Sequence, residues 1–236
     1  MDRIMIPAQL GLLNWLDAVA LLLLLVAWQG VGVLIEHPPR RFPSVSVLMT
    51  RYRRIWMSHV ITREPRVFDS MIVGSLRQGT AFFASTAMIA LGGGLALVGN
   101  IERLTTLASE LSLAESSKVV LEMKLILILL LVVNAFLKFV WANRIFGYCA
   151  VMLGTIPNEV DDPVGPHRCQ QAAELNITAA KAFNRGLRSI YFAMGALAWL
   201  VGALPLILTT LLTVAVVLRR EFGSQTRDVL LQGIDD

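Results

Sequence analysis

The sequence is poor in the groups that usually carry chemistry. Two cysteines in 236 residues supply no disulfide framework, and three histidines leave little for acid–base work at neutral pH. Charged residues make up 16% of the chain, well below an ordinary soluble composition. There is no HExxH, GxSxG or P-loop, and no GxGxxG at a strand-to-helix turn, so the usual hydrolase and nucleotide-binding signatures are missing. His167-Arg168-Cys169, near Asp161 and Asp162, holds metal-capable atoms, but its spacing matches no zinc site and reads as a solvated loop. No catalytic, cofactor-binding or metal-binding residue is assigned, and no cofactor is expected. Internal repeats are also missing, which removes support for an inverted-repeat transporter core.

What the chain has is apolar length. Hydrophobic residues make up 56% of it and its mean hydropathy is +0.65. Ala18 to Ile35, Gly79 to Gly99, Leu125 to Ile156 and Ser189 to Leu218 are each long enough for a helix to cross ~30 Å of hydrocarbon. A soluble fold of this size has no interior able to hide four such segments. The fold class predicted is an all-α membrane protein with four transmembrane helices and interfacial amphipathic helices. Residues 1–236 form a single domain in this reading, with spans at about 14–35, 79–99, 122–145 and 189–218. No small-x-small cleavage site follows the leucine run, so the first segment reads as a retained helix.

The net charge of +4 and pI near 9.4 do not point to nucleic acid, because the cations sit beside apolar spans. Their expected partners are the lipid bilayer and its anionic headgroups. Arg40, Arg41, Arg51, Arg53, Arg54, Arg63, Arg66 and Arg77 fall between the first and second stretches. Lys138, Arg144, Arg168, Lys181, Arg185 and Arg188 surround the third connection. The other side receives half as many, so the arginine-rich loops are expected in the cytoplasm of a bacterial inner membrane, with both termini periplasmic. The Arg219-Arg220 pair at the end of the fourth span does not fit this arrangement.

Residues 45–62 carry apolar side chains at Val45, Leu48, Met49, Tyr52, Trp56 and Val60, close to a helical repeat. That pattern predicts a cytoplasmic interfacial helix with Trp56 at headgroup level and arginines reaching for phosphates. Ile101, Leu104, Leu107, Ala108 and Leu111 predict a shorter outer one. Either the arginines of the cytoplasmic helix chiefly anchor it to anionic lipid, or Arg63, Arg66 and Arg77 form a buried polar cluster with Asp69 at the cytoplasmic mouth, in which Arg66 and Asp69, three apart, can pair.

Irregularities within the spans have two readings each. Gly92, Gly93 and Gly94 either let helices pack closely or form a hinge beside a pore. The third stretch is too long for one crossing, so it either runs past the inner surface or breaks near Arg144 and Gly147. Within it, Lys138 either snorkels to headgroups or, with Asn134, Asn143 and Arg144, lines a polar path. Asp17 is either a helix-start carboxylate at the outer interface or an acid two turns inside the membrane. Pro205 predicts a kink in the fourth span, which either shapes the bundle or gates it.

Five strings carry a family likeness: Arg54-Ile55-Trp56-Met57, Arg66-Val67-Phe68-Asp69, Phe82-Phe83-Ala84-Ser85-Thr86, Tyr191-Phe192-Ala193, and Arg220-Glu221-Phe222 before Ser224. In these the chain resembles the domain of unknown function 599, found in bacterial and plant membrane proteins. The resemblance implies a four-helix membrane protein and no particular activity. Two functions are weighed from the residues. One is a homo-oligomeric channel-like or transport protein, anion-favouring through Lys138, Arg144 and Arg188. The other is a non-conducting accessory or scaffold subunit that binds another membrane protein.

Overall fold

A computed structural model describes residues 14–102 and 118–232. Its helices are α1 (Trp15–Glu36), α2 (Val45–Ser58), α3 (Val67–Gly99), α4 (Lys118–Gly154), α5 (Gly165–Ala196), a 3-10 turn (Leu197–Leu200), α6 (Ala203–Phe222) and α7 (Gln225–Gln232). All regular structure among the described residues is helical. Four segments are long and apolar enough to cross a membrane: Trp15–Glu36, Val67–Gly99, Lys118–Gly154 and Ala203–Gln232. Their outward faces carry large apolar side chains such as Ile89, 76% exposed, which only lipid or another membrane protein would solvate. Most of the outer amphipathic helix expected around Leu104 to Leu111 lies outside the described residues.

Local chemistry sets several boundaries. Ser44 caps α2 by accepting from the Val47 N–H at 3.2 Å, and its hydroxyl donates to the Ile35 carbonyl at 2.7 Å. One side chain thus starts α2 and satisfies the end of α1. No break occurs near Arg144 or Gly147; α4 is continuous for 37 residues and runs past the depth one crossing needs. Helix α3 is likewise unbroken over its 33 residues.

The fourth expected span is corrected. Ser189 to Leu218 is not one helix but the two arms of a hairpin, α5 and α6, reversing at Leu197–Gly202. Thr209 Oγ1 donates to the Gly195 carbonyl at 2.9 Å, and Arg220 Nη1 donates to the Tyr191 hydroxyl at 3.1 Å. These pairings are antiparallel. Nor is Pro205 a kink. It occupies the first turn of α6, where no intrahelical partner is available for its missing N–H. A helix continuing through it would drive its ring into the carbonyl four residues earlier. The added reversal puts Asn14 and Gln232, the outermost described residues, at opposite ends of the bundle.

The amphipathic helix α2 is shorter than 45–62 and rests on protein. Arg54 Nε pairs with Glu174 at 2.7 Å, and Arg53 hydrogen-bonds the buried Asn176 of α5. Burial pushes the Arg53 guanidinium below its ordinary pKa. Trp56 donates to Asp69 rather than standing free at headgroup level. Tyr52 donates to the Leu230 carbonyl at 3.0 Å, which holds α7 across the same helix.

The bundle centre is filled by aromatic rings. Phe83, Phe139 and Phe183 meet with centroids 5.4–5.5 Å apart, beside the fully buried Phe192. Gly186 makes room for this, since a Cβ there would come within 2.6 Å of the Phe139 ring. The glycine triplet is less uniform than its sequence suggests. A Cβ on Gly94 would run into the Leu129 side chain, whereas Gly92 and Gly93 have open space. Gly186→Val should therefore destabilise the detergent-solubilised protein by about 1–3 kcal/mol, the usual penalty of overpacking. Gly92→Ala, measured in the same thermal melts, should leave stability unchanged or slightly raised.

Candidate functional site: a polar cleft between α1 and α4

Glu36 is the last residue of α1, and Arg185 and Arg188 lie one turn apart on α5, facing it. Arg185 approaches with its planar fork: Nε donates to Oε1 at 2.8 Å and Nη2 reaches Oε2. Arg188 Nη2 adds a bond to Oε1 at 2.6 Å. The Glu36 side chain is 10% exposed and that of Arg188 8%, so each charge offsets the cost of burying the other.

Beside this clamp lies a cleft of about 280 Å³. Trp28, Gln29 and Gly32 of α1 form one wall, Asn134 and Lys138 of α4 the other, and Arg185, Arg188 and Ser189 of α5 the floor. Ser189 donates to Asn134 Oδ1 at 3.0 Å, which ties α4 to α5 and leaves the Asn134 amide NH₂ unbonded among the described residues. The Lys138 ammonium makes no hydrogen bond or ion pair among them, although it lies within electrostatic reach of Arg185, Arg188 and Glu36. Three cations thus gather around one carboxylate. At the opposite end of the bundle Lys124 Nζ of α4 stands 4.0 Å from Asp17 of α1.

Lys138 and Asn134 share this cleft, and the other residues singled out in the sequence go elsewhere. Asn143 donates to Thr80 Oγ1 at 3.0 Å and to the Arg77 carbonyl at 2.8 Å, joining α4 to α3. The guanidinium of Arg77 lies against Gly147, and Arg144 bonds Tyr148 on its own helix. Asp17 accepts from Trp199 Nε1 at 2.6 Å, so it locks α1 to the hairpin turn. Asp69 is buried near the start of α3, where the helix dipole favours a carboxylate, and accepts from Trp56 at 2.7 Å and Arg63 at 3.0 Å.

The expected Arg66–Asp69 pair does not form. Arg66 precedes the first turn of α3, so helical spacing does not apply to it, and its guanidinium donates to the carbonyls of Ile156 and Pro157 beyond α4. His167, Arg168 and Cys169 are on α5 rather than in a loop, with Cys169 buried. No group of three or more His, Cys, Asp or Glu side chains among the described residues could hold a metal ion. Sequence reasoning missed Glu36, Arg185 and Ser189 as site residues. The available signal was one acid ending an apolar run together with two arginines three apart on a helix.

Removing the carboxylate would strand a buried guanidinium. Glu36→Gln should destabilise the fold by about 3–5 kcal/mol, the range for breaking a buried pair. Glu174→Gln, which breaks the solvent-exposed Arg54 pair, should cost about 0–1 kcal/mol. Thermal melts of the two variants in one detergent check the ranking.

Residues 19–226 match a family model described as "Protein of unknown function, DUF599". No curated protein and no solved structure matches the chain.

Proposed function

The chain belongs to the DUF599 family, and from that premise we propose that this multi-span membrane protein is a non-conducting accessory or scaffold subunit. The observation that carries this reading is the apolar lining of the bundle centre. Phenylalanine rings occupy the bundle centre, and Asn143, Ser189 and Trp199 donate to Thr80, Asn134 and Asp17 around it. A conducting path needs a continuous polar or hydrated lining, which a phenylalanine-packed centre does not supply. The edge helix α3 packs chiefly on α4 and leaves Phe82, Met88, Ile89 and Leu95 exposed, which suits lateral association with a second copy or another membrane protein.

Orientation follows from charge. Among the described lysines and arginines, only Lys118 and Lys124 lie at the Asp17 end; all others gather toward the Glu36 end. In a bacterial inner membrane this asymmetry supports an orientation with the Glu36 end, α2 and α7 in the cytoplasm and Trp15 at the periplasmic side. A reporter fused after Asp236 should then be active as a cytoplasmic fluorescent protein and inactive as alkaline phosphatase. The opposite pair of results would overturn the orientation.

The second reading is a homo-oligomeric, anion-favouring channel, and the basic cleft around Lys138 favours it. Flux measurements on reconstituted liposomes separate the two. Tight vesicles at high protein-to-lipid ratio are expected; chloride flux abolished by Lys138→Met would replace the scaffold with the channel.

A further inference from the structure

We propose that the cleft between α1 and α4 is a binding site for a phosphate group, received by Lys138, Arg188 and Asn134. It holds whether or not the protein conducts.

Three observations carry it. First, donors outnumber acceptors there. Arg188 spends one N–H on Glu36, and its remaining nitrogens have no partner among the described residues. Lys138 has none, and the Asn134 amide has given only its oxygen, to Ser189. These are charged and amide donors around a space of about 280 Å³, which holds a phosphate group with room for its substituent. Second, the local charge is uncompensated. Arg185, Arg188 and Lys138 face one Glu36 carboxylate, and although Glu221, which accepts from the Ser46 backbone N–H and hydroxyl at 3.0 and 2.9 Å, also acts on Arg188, three cations still exceed two acids. A bound anion removes that repulsion, and a metal cation would add to it.

Third, the α1 wall is built low at this point. Gly32 carries no side chain, and even a Cβ would stand 3.8 Å from Arg188 Nε. Any larger side chain would reach over the guanidinium. Glu36 is also about 28 Å along α1 from Asp17, nearly the thickness of the hydrocarbon core, so the cleft opens at headgroup depth. The phosphate could belong to a lipid headgroup or to a soluble ion. The donors are the same for both.

The test uses the full chain in a neutral maltoside detergent, with melting temperature as the readout and two probes, phosphatidylglycerol and inorganic phosphate. At least one probe should raise the melting temperature of the wild type. A rise with phosphatidylglycerol alone identifies a lipid headgroup site, and a rise with millimolar phosphate a soluble anion site. Lys138→Met keeps the side-chain volume, breaks no ion pair and relieves repulsion from Arg185 and Arg188, so its melting temperature without probe should equal or slightly exceed that of the wild type. Its apparent affinity should fall about tenfold, as for the loss of one charge-assisted hydrogen bond. Gly32→Val, which fills the cleft without changing charge, should weaken binding as well. Arg51→Ala, at an exposed arginine on α2, should leave it intact. No shift with either probe overturns the site. An undiminished shift in both Lys138→Met and Gly32→Val, or an equal loss in Arg51→Ala, overturns it too.

Discussion

The arginine-rich end depends on how the carboxylate that closes α1 is neutralised. Glu36 lies too deep to be left to water, and Arg185 and Arg188 supply the charge from α5. That requirement fixes the position of α1 along α5. With α1 fixed, Ser44 can bond the Ile35 carbonyl and start α2 at a set distance, and α2 in turn meets Glu174 and Asn176 farther along α5. Asp17 performs the corresponding task at the other end through Trp199 and Lys124. Two acids on one apolar helix therefore set its height at both ends.

The hairpin of α5 and α6 has a consequence for charge. By turning back at Leu197–Gly202, the chain carries Arg219, Arg220 and Arg227 to the end that already holds the other arginines. The adjoining Glu221 then bonds Ser46 at the start of α2, and Arg227 donates to the Pro43 carbonyl at 3.0 Å. The arginine pair that does not fit a single helix over 189–218 becomes part of a consistent asymmetry once the reversal is present. Buried small residues of α5, among them Ala193 and Ala196, together with Gly195, let α6 pack close against it.

Much of this architecture is local and therefore legible in the residues. The leucine-rich run of α1, the extended length of α4 and the amphipathic repeat of α2 each follow from periodicity and composition over a short window. Long-range pairing is not written that way. Arg66 and Asp69 have the spacing of a helical pair, but Arg66 lies outside the helix and finds carbonyls some ninety residues away. The division of the triplet into one packed glycine and two open ones depends on where Leu129 falls, which no property of residues 92–94 reveals.

The sequence by itself determined the class of the protein, the location of its apolar helices and the clustering of its cations, because lipid imposes length and hydrophobicity on each segment separately. Tertiary structure alone decided that the last apolar stretch folds back, that Glu36 rather than Asp69 anchors the largest cation cluster, and that Lys138 shares a cleft with Arg188. The physical reason lies in the helices themselves. A segment apolar on every side, such as α1 or α4, carries no stripe that says which face turns inward. That choice falls to a few polar side chains and small residues whose partners lie far away in the chain, and they become identifiable only once the helices are packed.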